Sequence, residues 1–325
     1  MSSRVRSVAI FSDVPRIFSC ISKLFPSLQV QEIKPGSPEA LQSLLKADVI
    51  LADFDKIAEH IYFLKETKWI QGTWAGVEPI IKEYDKIKEL PPCPIARFSG
   101  AHFGSIMSEY VVAHVTSFER DFRRSWGAQK ECKWDLNGKI KDYKVIGDME
   151  VGVLGGGQIG SHIAGVLKKL GARIWCLVRS IPTVKSSSID EYRETNQLDE
   201  ILEHCDLIIN VLPHSPTTAG LLNSRNLGKC KGSLLVNIGR GSLVTESDLI
   251  DALEKKYLRG AILDVFPKEP LSPESKLWTM PEVIITPHVA GLTRAEDVAA
   301  FFKQNLDLWN SEGRLMNAIN FEKGY

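Results

Sequence analysis

Short apolar runs alternate with amphipathic stretches along most of the chain. Residues 8–11 and 49–52 are apolar, 30–33 opens on Val and closes on Ile, and all three are too short for a core helix, so they read as strands. Between them, 14–24 and 38–46 space their apolar positions three and four apart, as one face of a helix does. This predicts an α/β domain at the start of the chain. Further on, "EPIIKEYDKIKEL" reads as a solvated helix face and "LPPCP" (90–94) interrupts regular structure. The stretch "FGSIMSEYVVAHVTSFERDFRRSWG" (103–127) then predicts one long helix bridging to a second domain.

The second domain opens on "VGVLGGGQIGSHIAGVLKKLGARIWCLVRS" (151–180). Residues 151–154 read as a buried strand, Ile159, Ile163, Val166, Leu167 and Leu170 mark a helix face, and 172–178 is a second strand. The first turn of this βαβ unit carries Gly155-x-Gly157-x-x-Gly160. Gly155 permits a tight turn, Gly157 lets backbone approach a pyrophosphate, and Gly160 lets the helix pack closely on the strand. The pyrophosphate would rest on the helix N-terminus, where unpaired N–H groups and the positive dipole end face it. Alone the glycine pattern is a weak signal. Its strand–turn–helix–strand setting makes it a dinucleotide site.

Beyond it, "LDEILEHCDLIINVLP" leads a helix into a strand at 207–212, and "GSLLVNIGRGSLV", "LRGAILDVFPKEP" and "EVIITPHVAG" each place a strand before a polar loop. Ligands of open parallel sheets bind beyond the carboxyl ends of the strands. Arg240, Asp264, Glu269 and His288 are therefore expected near one another and near the cofactor. A last helix at 294–308 is expected to pack back on the first domain. The expected division is 1–100 plus 293–325 as substrate domain and 101–292 as dinucleotide-binding domain.

Bulk properties narrow the class. In 325 residues Lys plus Arg equals Asp plus Glu at 40 each, so no overall basic field is available to hold nucleic acid. The six cysteines form no C-x-x-C pair and do not group with histidines, which implies a reducing compartment and no metal site. No apolar run approaches the roughly 20 residues of a membrane span. The start "MSSRVRSVAIFSDVP" has the arginines and serines of a transit peptide, but a strand begins near Ser7, and the expectation is a cytoplasmic protein.

The segments "GVLGGGQIG", "LPHSPTTAGLLN", "NIGRGSLV", "GAILDVFPKEPL" and "TPHVAG" resemble, in order and spacing, the D-isomer-specific 2-hydroxyacid dehydrogenases, over essentially all of 90–308. "PLSPESKLW" and "IMSEYVV" look most like the glyoxylate/hydroxypyruvate reductase branch. The resemblance implies two Rossmann-like lobes: a flavodoxin-like substrate lobe and a doubly wound dinucleotide lobe, with the active site in the cleft between them. It also implies a homodimer made through the dinucleotide-binding domain. Carried over, it makes Arg240, Glu269 and His288 the catalytic set. It extends the cofactor positions to Gly155, Gly157, Gln158, Ile159, Gly160, Arg179, Ser180, Leu212, Pro213, Ile238, Arg240, Asp264 and His288. "QGTWAGVE" (71–78) resembles the family's loop whose backbone N–H groups hold the substrate carboxylate, which makes Trp74, Ala75 and Gly76 substrate-side candidates beside Arg240 and His288. The family commonly has Asp where Glu78 stands. Met107, Tyr110 and Trp278 are candidates for the pocket wall or for plain core.

The chemistry is consistent with the residue types. Reducing a 2-keto acid needs a hydride for the carbonyl carbon, a proton for its oxygen and a cation for the carboxylate. NAD(P)H is the hydride source. An imidazole titrates near neutral pH and suits the proton transfer, with Glu269 fixing its ring. The guanidinium of Arg240 matches a carboxylate bidentately and polarises the adjacent carbonyl. The remaining histidines, His60, His102, His114, His162, His204 and His214, read as structural.

Cofactor choice rests on the end of the second strand. NAD enzymes place a carboxylate there for the ribose 2′-OH, whereas this chain has Arg179 and Ser180 and no carboxylate until Asp190. That predicts NADPH, with NAD also accepted and Lys185 a weaker contributor. Two other readings stand beside the enzyme: a nucleotide-sensing binding protein of the same fold, and a dehydrogenase for a different 2-hydroxy acid.

Overall fold

The structure, a computed structural model, describes residues 5–34, 36–37, 39–322 and 324. The first four residues of the leader-like start, and Pro38 at the head of the expected helix 38–46, lie outside the described residues. The chain divides into two compact units, Met1–Ser99 with Thr293–Tyr325, and Gly100–Leu292. Each is an α/β layer structure on a wholly parallel sheet, as the alternation of short apolar runs and helical stretches implies.

In the first unit β1 (Ser7–Phe11), β2 (Gln29–Glu32), β3 (Val49–Ala52), β4 (Trp69–Gly72) and β5 (Ile95–Ala96) lie in the order β2-β1-β3-β4-β5. This is the flavodoxin-like order. The central strand β3 is buried along its whole length, as a parallel strand covered on both faces must be, while β2, "QVQE", forms the polar edge. The helix expected over 14–24 starts later, at Ile17–Leu24, because the preceding Arg16 takes a left-handed conformation (φ 67°). The helix expected over 38–46 is Ala40–Leu45. A buried carboxylate, Asp53, ties three strand ends together. Its oxygens accept from Ser12 Oγ (2.5 Å) after β1, Thr73 Oγ1 (2.6 Å) after β4 and the Asp13 N–H (2.8 Å).

The C-terminal helix runs Ala295–Glu312, longer than the expected 294–308, and joins this first unit through a buried amide pair. Asn305, fully buried, donates to Gln71 Oε1 of β4 (2.7 Å) and accepts from the Met316 N–H (2.7 Å). Such a pair is costly to bury without its partner. It therefore selects one seat for the helix. Phe302 of the same helix, also fully buried, stacks on Trp69.

In the second unit the strands are β6 (Glu150–Leu154), β7 (Arg173–Val178), β8 (Glu191–Glu194), β9 (Leu207–Asn210), β10 (Ser233–Asn237), β11 (Leu258–Leu263) and β12 (Val283–Ile285). Their order is β12-β11-β10-β9-β6-β7-β8, all parallel, which is the doubly wound order with one strand added at an edge. The strand order reverses between β6 and β9, so the crevice at their carboxyl ends is the expected ligand position.

The single long helix expected over 103–127 is instead two, Ala101–Glu119 and Phe122–Lys130, broken where Asp121 turns left-handed (φ 52°). The first helix's end is held by contacts distant in sequence. Glu119, buried at the first helix's end, pairs with Arg259 Nη1 (2.5 Å) and accepts from the Lys144 N–H (3.0 Å), which fixes the terminus against β11 and the 139–144 segment. Helix Ala101–Glu119 also packs on helix Gln158–Lys169 at close range. A Cβ on Gly104 would fall 2.6 Å from that of His162, and Ser108 Oγ meets His162 Nδ1 at 3.0 Å. His162 is thus structural. Among the described residues no helix is long and apolar enough to cross a membrane.

Candidate functional site

The glycine turn follows β6 and has the shape a pyrophosphate needs. Gly155 sits at φ 115°, a conformation that side chains rarely adopt. A Cβ on Gly160 would fall 1.9 Å from the Gly155 carbonyl oxygen, so any side chain there would push the helix off the turn. Around Gly157, the residue that caps helix Gln158–Lys169, no atom lies within 4 Å of where a Cβ would be. That open, exposed cradle sits at the end of a twelve-residue helix, with Gln158 exposed and Ile159 half-buried in its first turn. The residues present therefore fit a dinucleotide.

Two buried amides hold the loops on the other side of the crevice. Asn210, the last residue of β9, donates to Asn237 Oδ1 at the end of β10 (2.8 Å) and accepts the Leu212 N–H (3.0 Å). Asn237 in turn donates to the Arg240 carbonyl (3.2 Å) and accepts the Gly239 N–H (3.4 Å). Both are essentially inaccessible to solvent, so these bonds fix the backbone of Leu212, Pro213, Ile238 and Arg240 rather than decorate it. Neither amide stood out in the sequence, because their pairing depends on the β9–β10 register, which matches Asn210 to Asn237. The glycines flanking Arg240 are needed for contact. A Cβ on Gly239 would fall 2.8 Å from the Leu212 carbonyl oxygen, and one on Gly241 would fall 1.9 Å from the Phe266 carbonyl carbon.

That last contact presses the Arg240 loop against the segment bearing Glu269. Glu269 accepts the Phe266 N–H on Oε1 (3.0 Å) and holds His288 Nδ1 on Oε2 (2.8 Å). A carboxylate only accepts, so Nδ1 carries a proton and Nε2 is the nitrogen left to exchange one. His288 itself is left-handed (φ 56°), and its N–H donates to the Asp264 carbonyl (2.9 Å). The Asp264 side chain, 1% exposed, accepts Thr286 Oγ1 (2.5 Å) and the Val289 N–H (2.8 Å) on Oδ1, and the Ala290 N–H (2.9 Å) on Oδ2. The turn that carries His288 is therefore wrapped around one buried carboxylate. Contacts thus link Arg240, Asp264, Glu269 and His288 into one constellation at the carboxyl edge of the sheet.

At the end of β7, Arg179 and Ser180 are exposed, as is Lys185. Asp190, the first carboxylate after them in sequence, faces the other way. It binds Lys168 Nζ (2.6 Å) and the Ile174 N–H (2.8 Å) near the start of β7. The carboxylate at this edge belongs to Glu194 instead. It is paired in register with Val178, accepts the Ile181 N–H (3.3 Å) and caps the turn at 195–197. Sequence reading missed it because "EYRE" is too polar to read as the strand it forms.

Of the remaining candidates, Trp74, Ala75 and Gly76 are half-buried and follow β4 in the first unit. Met107 is buried core against Gly291. Trp278, half exposed, donates to the Ser272 carbonyl (2.9 Å). Tyr110 is half-buried, and its hydroxyl meets Thr286 Oγ1 at 2.6 Å. Among the described residues no group of three or more His, Cys, Asp or Glu could hold a metal ion, and the six cysteines are unpaired.

Residues 112–290 match the family model of the D-isomer-specific 2-hydroxyacid dehydrogenase NAD-binding domain, more than half of the chain. The chain belongs to that family. It is an NAD(P)-dependent D-2-hydroxyacid dehydrogenase by class, as the five ordered motifs imply. Solved structures agree along nearly the full length. A D-isomer-specific 2-hydroxyacid dehydrogenase family protein from Aeromonas salmonicida is 28% identical, with a TM-score of 0.85 over 97% of this chain and 99% of that one. An NADPH-dependent glyoxylate/hydroxypyruvate reductase from Sinorhizobium meliloti, solved with NADP and sulfate, is 25% identical, with a TM-score of 0.82 over 98% and 100%. A D-isomer-specific 2-hydroxyacid dehydrogenase from Xanthobacter autotrophicus, solved with NADPH, is 25% identical, with a TM-score of 0.81 over 99% and 100%.

Proposed function

We propose that this dehydrogenase reduces small 2-keto acids, hydroxypyruvate and glyoxylate foremost, to D-2-hydroxy acids, and that it prefers NADPH. The observation that carries the reading is the His288 Nδ1–Glu269 Oε2 pair at 2.8 Å, held on a turn around buried Asp264 at the carboxyl edge of a sheet whose first turn is a dinucleotide cradle. Bound NADPH supplies a hydride for the carbonyl carbon. Arg240 grips the substrate carboxylate and draws charge from the neighbouring carbonyl. His288 delivers its Nε2 proton to the carbonyl oxygen while Glu269 keeps the ring oriented through Nδ1. In the reverse direction the neutral Nε2 takes the hydroxyl proton. Trp74, Ala75 and Gly76 are the proposed substrate-side residues of the first unit.

The small-acid preference rests on "PLSPESKLW" and "IMSEYVV" and on the likeness to the Sinorhizobium reductase. A panel of glyoxylate, hydroxypyruvate, pyruvate and bulkier 2-keto acids, each with NADPH and NADH, tests it by cofactor absorbance. The expected result is the highest kcat/KM for hydroxypyruvate or glyoxylate with NADPH. A bulkier acid in first place would reassign the substrate, and no turnover with any acid would favour a nucleotide-sensing protein.

NADPH preference rests on Arg179 and Ser180, since a guanidinium pairs with and stacks beside a ribose 2′-phosphate. Glu194 keeps its charge near this edge while its carboxylate accepts the Ile181 N–H and caps the turn at 195–197, so the preference requires Arg179 and Ser180 to outweigh it. Arg179→Ala should lose a charge-assisted bond of about 1.5–3 kcal/mol, roughly 10- to 150-fold in kcat/KM for NADPH. The NADH value should hardly change. Equal losses with both cofactors would remove Arg179 from phosphate recognition.

The homodimer reading finds support in an apolar groove of the second unit lined by Val112, His114, Phe122, Trp126 and Ile284, with Trp126 54% exposed. Exposed aromatic area of this kind suits a second copy of the chain. Light scattering should give about twice the chain mass, and a monomer at micromolar concentration would contradict it.

A further inference from the structure

The buried chain of hydroxyls beneath His288 has a direction. Asp264 Oδ1 accepts Thr286 Oγ1 at 2.5 Å, and a carboxylate has no proton to give back, so the single hydroxyl proton of Thr286 points at Asp264. The proton between Tyr110 and Thr286, whose oxygens are 2.6 Å apart, must then come from the phenol. Burial pushes the Tyr110 phenol up to about 12, so it stays a donor across the working pH range. Tyr110 thus donates to Thr286, which donates to Asp264. The same Asp264 takes the N–H groups of Val289 and Ala290 on its carboxylate and that of His288 on its carbonyl.

This bonding explains how His288 keeps a left-handed backbone. A side chain with a Cβ disfavours that region, and such a residue persists only where its surroundings over-determine it. Four donors to Asp264, the Thr286 hydroxyl and the N–H groups of His288, Val289 and Ala290, come from residues 286–290. Tyr110 comes from the middle of helix Ala101–Glu119, which packs rigidly on helix Gln158–Lys169, and its ring lies 4.1 Å from that of His114. Phe103 and Met107 of the same helix pack against Gly291 just beyond the turn, and the phenol adds the hydrogen bond that ties the helix to Thr286 and so to Asp264.

We propose that Tyr110 is a positioning residue for His288, acting through Thr286 and Asp264 to hold the imidazole where its Nε2 meets the substrate oxygen. This rests on the reading of His288 as the acid/base. Loss of the phenol leaves the glycine cradle and the Arg240 loop intact, so the defect falls on kcat and not on NADPH affinity. Proton transfer is sensitive to such small misplacements.

The test is a mutant cycle in the full-length enzyme, with hydroxypyruvate and NADPH as substrates. Tyr110→Phe should lower kcat about 3- to 10-fold, the worth of one neutral hydrogen bond, while the NADPH Kd, read by fluorescence, stays within twofold. Thr286→Val breaks both links and should cost roughly 10- to 100-fold. Thr286→Ser keeps both hydroxyl bonds and should retain wild-type kcat within about twofold. His288→Ala should cost about 10²- to 10⁴-fold, and on that background Tyr110→Phe should add no further loss. If His288→Ala keeps most of its kcat, the acid/base reading itself fails. If His288→Ala is crippled but Tyr110→Phe leaves kcat unchanged, or costs the same on both backgrounds, the positioning role is overturned.

Discussion

All seven strands of the larger sheet run the same way, so every connection from one strand to the next must cross back over a face of the sheet, and all the carboxyl ends open on one edge. That constraint places the glycine turn after β6, Leu212 and Pro213 after β9, Arg240 after β10, Asp264 after β11 and His288 after β12 along a single rim. Gly155 and His288, far apart in sequence, thus lie on the same edge. The reversal of strand order between β6 and β9 then opens the rim where the dinucleotide cradle lies.

A rim of loops is not by itself a precise site, and precision here comes from buried polar groups with full sets of partners. Asp264 gathers the turn bearing His288, the Asn210–Asn237 pair fixes the loops of Leu212 and Arg240, and Asp53 joins three strand ends in the first unit. In a low-dielectric interior an unpaired carboxylate or amide is far more costly than a paired one is favourable. Each of these groups therefore penalises any loop conformation that would leave it unsatisfied. Gln71 and Asn305 work the same way, seating the C-terminal helix on the first unit.

What could be read from the sequence follows the reach of local rules. The α/β class, the βαβ turn at Gly155–Gly160 and the strand-end positions of Arg240, Asp264 and His288 were legible, because hydrophobic period and glycine spacing are short-range signals. The break at Asp121 was not, since it depends on Glu119 meeting Arg259, 140 residues away. Glu194 was missed for a related reason. Its strand is polar, and only its pairing with β7 brings the carboxylate beside Ile181. Asp190, the first carboxylate after Arg179 and Ser180 in sequence, is turned by the sheet to the opposite end of β7. The Asn210–Asn237 pair and the Tyr110–Thr286 contact likewise exist only once register is set.

The central claim is that this rim would hold a nicotinamide cofactor so that its hydride reaches one face of the carbonyl carbon of a 2-keto acid, while His288 protonates the oxygen. Its most direct test is to reduce hydroxypyruvate with NADPH fully deuterated at C4 of the nicotinamide and to analyse the product by NMR and chiral chromatography. The account predicts D-glycerate carrying deuterium at C2, with one label incorporated for each NADPH oxidised. Product of L configuration, or glycerate with no deuterium at C2, would contradict it.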